Sequence, residues 1–474
     1  MRLGLIALST VLIATGSLTM ASPATAAPPA CVAPVPSGTQ PGYTVADPNC
    51  DFGTTNPFVP LTGSGGLDIS RVFTGIAGGS AYRLEVPTNW NHELVLYAHG
   101  FRGNGTTVWV DNPALRRFYV EQGFAWAASS YQTNGYDVGH GVTNTHALIN
   151  LFGSVTGSRA RDVYMTGASM GGHITAAIIE HYRGDFVGAM PYCGVLGDKE
   201  LFDYFLDANV TAAELTHTQI QFPATLADGQ AYTPTYGQQV LGLLPQLGTG
   251  FNTPGVQLSA LGKTWAAAVE QRTGGTRPGM ESSMAYWNAR GFAPLTNVPF
   301  LFGVYPGLSG GTIGIADGNV TDNRHTIYQL DASPLLNRAE LALNRGVLRV
   351  TPTSAASRDL TGVPLVRGDA RIPVLSMHDI GDLFVPFSME QIYAREMALH
   401  FQSRLFVSRA IRGNAHCGFT LPELQRGFAD LVHWVRGGHR PAGDAILNPR
   451  VVARPDFGCT FTDGAHPEFT GAPC

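Results

Sequence analysis

One short segment in the first half of the chain constrains the fold more than any other. Residues 162–166 are an apolar run that leads into Gly167-Ala168-Ser169-Met170-Gly171, and residues 171–182 have the pattern of a helix. This is the strand–turn–helix context of the G-x-S-x-G motif, whose serine lies on a strained turn with its hydroxyl exposed above a sheet. The segment predicts a parallel sheet flanked by helices and makes Ser169 the candidate nucleophile. The alternative is a tight turn with an incidental serine.

Other apolar runs support a parallel sheet on both sides of this motif. Each has the length of a strand, and helix-length segments separate several of them, which is typical of repeated βαβ units. The predicted strands are residues 82–86 (paired with an earlier strand), 93–98, 124–129, 162–166, 186–192, 372–377 and 405–410. The predicted helices beside them are residues 113–122, 143–152, 171–182, 388–400 and 421–436. The predicted fold class is therefore α/β.

The middle of the chain has a different pattern. Helical periodicity appears at residues 199–206, 238–247, 258–271 and 280–290, with Gly/Pro-rich stretches between them. Such a stretch is too long to be a loop within a compact sheet, so we predict an inserted helical cap or lid. The predicted organisation is a signal peptide (1–26), an N-terminal extension (27–66), the first half of the core (67–197), the cap (198–365), the second half of the core (366–440) and a C-terminal tail (441–474).

The start of the chain has the pattern of an export signal. Arg2 precedes a mostly apolar run over residues 3–13, and Ala24-Thr25-Ala26 fits a small-residue cleavage site. The alternative, a membrane anchor, is disfavoured because the run is too short to span a bilayer. We therefore predict a secreted, extracellular protein. Its formal net charge of -5 provides no basic surface that would attract nucleic acid.

The cysteines fit this predicted location. An even number of cysteines in an exported chain favours disulfide bonds, although the sequence alone does not fix their pairing. Local closure favours Cys31–Cys50 and Cys459–Cys474, which leaves Cys193 to pair with Cys417. The alternative for Cys193 and Cys417 is two free thiols. The sequence has no C-x-x-C pair, so no structural zinc site is predicted.

A serine hydroxyl needs a base to take its proton. In chains with this motif the order along the sequence is Ser, then Asp or Glu, then His. His416 lies in a predicted loop between a strand and the last helix, which makes it the candidate base. The other histidines fit less well, either because they directly follow the nucleophile or because they lie within predicted helices: His173, His181, His400 and His433.

The acid is expected in the turn after the strand at 372–377. Asp379 and Asp382 both lie in this turn, and we favour Asp382 for its spacing before Val385-Pro386. Asp379 is expected to cap the turn instead. The oxyanion hole needs two backbone N–H groups. The candidates are Met170, which follows the nucleophile, and Phe101, in the turn that begins at His99-Gly100.

Taken together, these motifs resemble those of the α/β-hydrolase superfamily, and the chain is similar to secreted actinobacterial serine hydrolases of the esterase/peptidase-like type. The resemblance rests on His99-Gly100, on residues 167–171, on Gly381-Asp382 with Val385-Pro386, and on His416-Cys417-Gly418-Phe419-Thr420. It implies an eight-stranded, mostly parallel sheet and acyl transfer that needs no metal and no cofactor. It does not cover the cap.

Three functions are consistent with these residues. The first is hydrolysis of a small-molecule or polymeric carboxylic ester through a Ser-His-Asp triad and an acyl-enzyme. The second is cleavage of an amide or peptide bond by the same triad. The third is a binding protein on a catalytically dead hydrolase fold. Four tryptophans are candidates for an apolar acyl site, with core packing as the alternative: Trp90, Trp109, Trp265 and Trp287.

Overall fold

The apolar runs predicted as strands come together in one eight-stranded sheet. The structure, a computed structural model, describes residues 31–220, 226–249, 258–291, 298–303, 319–357 and 359–474. Its strands are β1 (Val35–Pro36), β2 (Thr44–Val45), β3 (Ser70–Ala77), β4 (Ser80–Pro87), β5 (Glu93–Ala98), β6 (Thr107–Val108), β7 (Ala125–Ser129), β8 (Asp162–Ala168), β9 (Gly188–Tyr192), β10 (Val374–Asp379) and β11 (Phe406–Ile411). The predicted signal peptide, 1–26, lies outside the described residues, as do residues 27–30 and parts of the predicted cap.

The order and direction of the strands define the architecture. The order across the sheet is β11-β10-β9-β8-β5-β7-β4-β3. Strand β4 is antiparallel to both of its neighbours, β3 and β7, whereas the other five pairings are parallel. This mostly parallel sheet confirms the predicted α/β class. The order and directions of its strands are those of the α/β-hydrolase fold.

Helices cover both faces of the sheet. The alternating side chains of β5 show this directly, since Leu94 and Leu96 enter one buried apolar cluster and Val95 enters another. Because both faces are buried, the strands are continuous apolar runs rather than alternating ones. The helices are α1 (Arg116–Glu121), α2 (Val138–Thr156), α3 (Met170–His181), α4 (Glu200–Leu215), α5 (Leu226–Leu247), α6 (Ala260–Arg272), α7 (Met280–Asn288), α8 (Phe300–Gly303), α9 (Arg338–Gly346), α10 (Ser388–Leu399), α11 (Leu421–Gly437) and α12 (Pro449–Val452).

Helices α4 to α9 lie between β9 and β10, in the stretch predicted as a cap. Helix α4 extends well beyond the predicted residues 199–206, because residues 201–213 are all buried. A helix that is buried all round has no polar face, so its amphipathic periodicity disappears from the sequence. None of the described helices is both long and apolar enough to cross a membrane.

Residues 31–66 and the C-terminal tail contain more regular structure than their Pro/Gly-rich composition suggested. In the N-terminal extension, β1 and β2 form a three-stranded sheet with β6. In the C-terminal tail, helix α12 is followed by side chains that are buried against the core, among them Phe457 and Phe461. Aromatic side chains in each segment bury apolar area that the count of prolines and glycines does not reveal.

A buried carboxyl joins the two ends of the stretch between β9 and β10. Asp198, which lies just before α4, accepts hydrogen bonds from the backbone N–H groups of Lys199 and Val366. Val366 lies where the chain returns to the sheet, so a single side chain holds the exit and the return together. Burial, which disfavours the charged form, raises the pKa of Asp198 to about 7.

This carboxyl is expected to make folding depend on pH. An unfolded Asp has a pKa of about 3.9. Because the folded pKa is higher, the stability contributed by this group is present below about pH 4 and is lost as the pH rises through about 7. The free energy of unfolding of the wild type, minus that of Asp198→Asn, should therefore fall by up to about 4 kcal/mol between pH 4 and pH 8. Urea unfolding measures it, with the exposed Asp331→Asn as control; a difference that does not change with pH contradicts the prediction.

Candidate active site

Ser169 lies on a sharp turn between β8 and α3. Its backbone has φ 60° and ψ -122°, a conformation that residues other than glycine rarely adopt. The turn requires glycine on both sides of it. A Cβ atom on Gly167 would lie 2.1 Å from the carbonyl oxygen of Gly171, and one on Gly171 would lie 2.1 Å from that of Ala98. Close packing within the turn thus explains Gly167, and packing of the turn against β5 explains Gly171.

His416 lies within hydrogen-bonding distance of Ser169. Its Nε2 atom is 2.8 Å from Ser169 Oγ, and its Nδ1 atom is 2.6 Å from Oδ2 of Asp382. Asp382 is fully buried, whereas Ser169 and His416 are half-buried. The structure therefore brings the three predicted residues, which lie far apart in the sequence, into one hydrogen-bonded chain that is open to solvent at the serine.

The two aspartates at the end of β10 have separate positions: Asp379 is the last residue of the strand, which extends beyond its predicted end at residue 377, and Asp382 lies in the turn that follows. The other carboxylate oxygen of Asp382 accepts the backbone N–H groups of Phe384 and Val385, which fixes the direction of its side chain. The expectation that the side chain of Asp379 caps its turn is wrong. Oδ2 of Asp379 instead accepts the N–H of Gly418, 2.8 Å away in the loop after His416. Burial raises the pKa of Asp379 well above its usual range, with the nearby Asp382 charge adding to the effect.

The other candidate histidines lie elsewhere. His173 is buried, with its ring nitrogens 2.9 Å from the hydroxyl of Tyr136 and 2.7 Å from the carbonyl oxygen of Pro364. Burial lowers the pKa of His173 to about 4, so it is neutral at physiological pH. His181, His400 and His433 are exposed side chains. These positions are consistent with structural or surface roles.

The two predicted oxyanion donors lie on either side of the nucleophile. Met170 is the first residue of α3, and the first N–H groups of a helix have no partner within the helix. The turn that carries Phe101 lies against Ser169, since a Cβ atom on Gly100 would be 2.9 Å from Ser169 Cβ. The role of these two N–H groups stays a prediction.

A disulfide bond ties the loop of His416 to the sheet. Cys417, next to His416, is bonded to Cys193, which directly follows β9. Both cysteines have positive φ, of 57° and 44°. The structure also has the Cys31–Cys50 and Cys459–Cys474 bonds that local closure favoured. In the described part of the chain, Cys193, His416 and Cys417 are the one group whose atoms are near enough to share a metal ion. The disulfide leaves neither sulfur as the thiolate that a metal needs.

Sequence reasoning missed the contacts that hold the His416 loop from the outside. Asn414 Nδ2 donates to the carbonyl oxygen of Glu468, 2.6 Å away in the C-terminal tail. The ring of Phe384 packs against the His416 imidazole, with centroids 4.9 Å apart. The aromatic residues of the tail were the available signal, but composition alone does not show what they pack against.

The four tryptophans have different environments. Trp109 stacks on Phe52, with ring centroids 4.4 Å apart, and Trp90 packs against Phe152. Trp265 and Trp287 are buried, with 2% and 6% of their surface exposed. Core packing, the alternative to an acyl site, therefore describes the two buried tryptophans. Of the four tryptophans, only Trp287 donates a hydrogen bond to the loops beside Asp382 and His416.

Comparison with known proteins finds distant relatives. No family model matches the chain. An o-phthalyl amidase from Xanthobacter agilis is 22% identical in an alignment of 412 positions that covers 77% of this chain and 87% of that protein. Feruloyl esterase B from Aspergillus oryzae matches with a TM-score of 0.43 and 13% identity, covering 83% of this chain and 88% of its own. An acylaminoacyl peptidase from Pyrococcus horikoshii matches with a TM-score of 0.36 and 9% identity, covering 80% and 43%.

The class of the protein follows from its own fold and site. The mostly parallel eight-stranded sheet, with a G-x-S-x-G turn between β8 and α3, is that of an α/β-hydrolase. The chain therefore has the α/β-hydrolase fold.

The Cys193–Cys417 bond gives a prediction for activity and stability. Replacing both cysteines by alanine should lower stability by about 2–4 kcal/mol, because the bond closes a long loop. It should also lower the rate of the folded enzyme, because the loop of His416 loses its covalent tether to β9. Thermal unfolding and ester hydrolysis measure the two effects. The double variant at Cys31 and Cys50 is the matched control, expected to lose stability but not rate; equal rates for the two double variants would contradict the prediction.

Proposed function

We propose that this protein is a secreted serine hydrolase that cleaves carboxylic esters through a Ser169–His416–Asp382 triad and an acyl-enzyme. The observation that carries the proposal is the double contact of one imidazole, 2.8 Å from the serine hydroxyl and 2.6 Å from a buried carboxylate. A base must be within hydrogen-bonding reach of the proton that it removes, and it must be held in the correct orientation.

In each half of the reaction His416 acts first as a base and then as an acid. Ser169 Oγ attacks the carbonyl carbon while His416 Nε2 accepts the serine proton, and Asp382 stabilises the imidazolium that forms. The imidazolium then gives this proton to the leaving alcohol oxygen as the ester C–O bond breaks, which leaves an acyl group on Ser169. A water molecule then attacks the acyl carbonyl carbon while His416 Nε2 accepts one of its protons. The imidazolium returns this proton to Ser169 Oγ as the bond between the acyl carbon and Oγ breaks, which releases the carboxylic acid and restores the serine hydroxyl.

The negative charge on the tetrahedral intermediate needs backbone donors. We propose the N–H groups of Met170 and Phe101, which flank Ser169 on the helix side and on the side of the His99–Gly100 turn. Removal of one such donor typically costs about 3–4 kcal/mol of transition-state stabilisation.

Cleavage of an amide is the second candidate. The curated relative with 22% identity is an amidase, and the match spans 87% of that protein. The same triad is sufficient for both reactions, but an amide has the poorer leaving group and depends more strongly on proton donation by His416. A catalytically dead binding protein is disfavoured, since nucleophile, base and acid are all present and in contact.

The location and the partners are part of the proposal. Three disulfide bonds are consistent with an oxidising, extracellular compartment. The substrate is proposed to be a small-molecule or polymeric ester, and the helices between β9 and β10 are proposed to shape the site that receives its acyl group.

The two aspartates provide an internal control for the triad. Asp382→Asn should lower kcat by roughly 10³–10⁴-fold, because the amide no longer stabilises the imidazolium or fixes its tautomer. Asp379→Asn makes the same substitution three residues away, and it should lower kcat by less than about tenfold. The burial of Asp379 already favours its uncharged form, and the asparagine oxygen can still accept the N–H of Gly418. Steady-state kinetics on a p-nitrophenyl ester measures both variants, and an equal loss would argue against Asp382 as the partner of His416.

A matched pair of substrates distinguishes an esterase from an amidase. A p-nitrophenyl ester and a p-nitroanilide with the same acyl group should be cleaved with a clear preference for the ester. Ser169→Ala should lower kcat by roughly 10⁶-fold and abolish labelling by a fluorophosphonate. A preference for the anilide would support the amidase, whereas a wild-type protein that the reagent does not label would support the binding protein.

A further inference from the structure

A single indole N–H joins the two loops that carry the acid and the base. Trp287, in α7, points its Nε1–H between two backbone carbonyl oxygens, that of Asn414 at 2.9 Å and that of Gly381 at 3.2 Å. Gly381 directly precedes Asp382, and Asn414 lies two residues before His416. The donor therefore comes from the helices between β9 and β10, while both acceptors belong to the loops at the end of the sheet.

Besides Tyr204 of α4, whose hydroxyl donates to the carbonyl oxygen of Leu383 at 3.0 Å, three described side chains of this segment donate to these loops, and Trp287 is one of them. Ser283 Oγ also donates to the carbonyl oxygen of Gly381, and Nε of Arg277 donates to that of Ile380 at 2.6 Å. All three side chains are buried. A buried carbonyl without a partner is costly, so the acid loop depends on α7 and on the turn before it for its hydrogen bonds.

The other side of the indole faces the aromatic residues at the imidazole. Trp287 packs against Phe300, with centroids 4.5 Å apart, and against Phe384 at 6.3 Å. Phe384 in turn packs against the His416 ring. Trp287 thus contacts the backbone next to Asp382 and His416. It also contacts the ring of Phe384, which packs against His416.

The two loops are also hydrogen-bonded to each other without the indole. Gly381 N–H donates to the carbonyl oxygen of Gly413 at 2.9 Å, which continues the pairing of β10 with β11. This bond joins the two loops directly through their backbones. The bifurcated contact of Trp287 adds a second link between the same loops, which comes from α7.

We propose that Trp287 is a positioning residue, which sets the distance between Asp382 and His416 and so keeps the imidazole in line with Ser169. This inference rests on the proposed function and extends it, because it makes the segment between β9 and β10 part of the catalytic geometry rather than a removable cover. A shift of about 1 Å in a reacting group can cost about a hundredfold in rate.

The test compares two tryptophans of the same inserted segment. Trp265, in α6, is also buried, and its Nε1–H donates to a single backbone carbonyl, that of Ala208 at 2.8 Å in α4. Trp287→Phe and Trp265→Phe therefore remove the same N–H group and similar apolar area, but only the first touches the acid and base loops.

We expect Trp287→Phe to lower kcat about tenfold or more, with KM within about twofold of the wild type. Trp265→Phe should lose a similar amount of thermal stability with kcat within about twofold. Kinetics on a p-nitrophenyl ester, normalised to the fraction of enzyme labelled by a fluorophosphonate, measures both. If the two variants have the same kcat, Trp287 only packs and the proposal is wrong. If Trp287→Phe does not fold, Ser283→Ala removes the other donor to Gly381 and should lower kcat with KM unchanged; an unchanged kcat there also overturns the proposal.

A double variant shows whether Trp287 acts through the base. In a His416→Ala background, adding Trp287→Phe should leave the residual rate within about twofold, because residues that act as a unit are not additive. A further tenfold loss would show that Trp287 acts elsewhere and would overturn the proposal. The single variant His416→Ala distinguishes a failure of the proposed function from a failure of this inference. Full activity there removes the proposed function together with this inference, whereas a slow His416→Ala beside an unaffected Trp287→Phe removes the inference alone.

Discussion

The hydrogen bonds of one imidazole are the interaction on which the rest of this structure depends. His416 contacts Ser169 on one side and Asp382 on the other, and these three residues come from three different connections at the same edge of the sheet. A parallel sheet makes this possible, because the carboxyl ends of β8, β10 and β11 lie together. The turn at Ser169, strained at φ 60°, then raises the hydroxyl towards the imidazole.

The loop of His416 is held from several directions. The Cys193–Cys417 bond connects it to the end of β9, and the N–H of Gly418 is bonded to the buried Asp379. Asn414 bonds to the C-terminal tail, at Glu468, and its carbonyl oxygen accepts from Trp287. A histidine on a free loop would lose orientational entropy each time it met the serine. These contacts make that loss part of folding rather than part of each turnover.

Burial has opposite uses in the two acids next to β10. Asp382 is buried but accepts two backbone N–H groups as well as the imidazole, so its charge is compensated. Asp379 is equally buried with a single backbone donor at one oxygen, and its other oxygen has no partner among the described residues. Desolvation therefore raises the pKa of the Asp379 carboxyl. Two buried carboxyls three residues apart thus differ in the number of hydrogen bonds that they accept.

The sequence by itself predicted the strands of the main sheet except the bounds of β3, and it predicted the turn at Ser169 and the chain order of the candidate triad. Strand β5 begins and ends at the predicted residues, and Gly167 reflects a close approach within its own turn, to the carbonyl oxygen of Gly171. Only the tertiary structure placed Asp382, and not Asp379, beside His416, placed Trp287 against the backbone behind that histidine, and gave the C-terminal tail its contact with Asn414. Strands and turns follow from residues close together in the sequence. The contacts that aim the imidazole join residues more than thirty positions apart, and periodicity contains no information about such pairs.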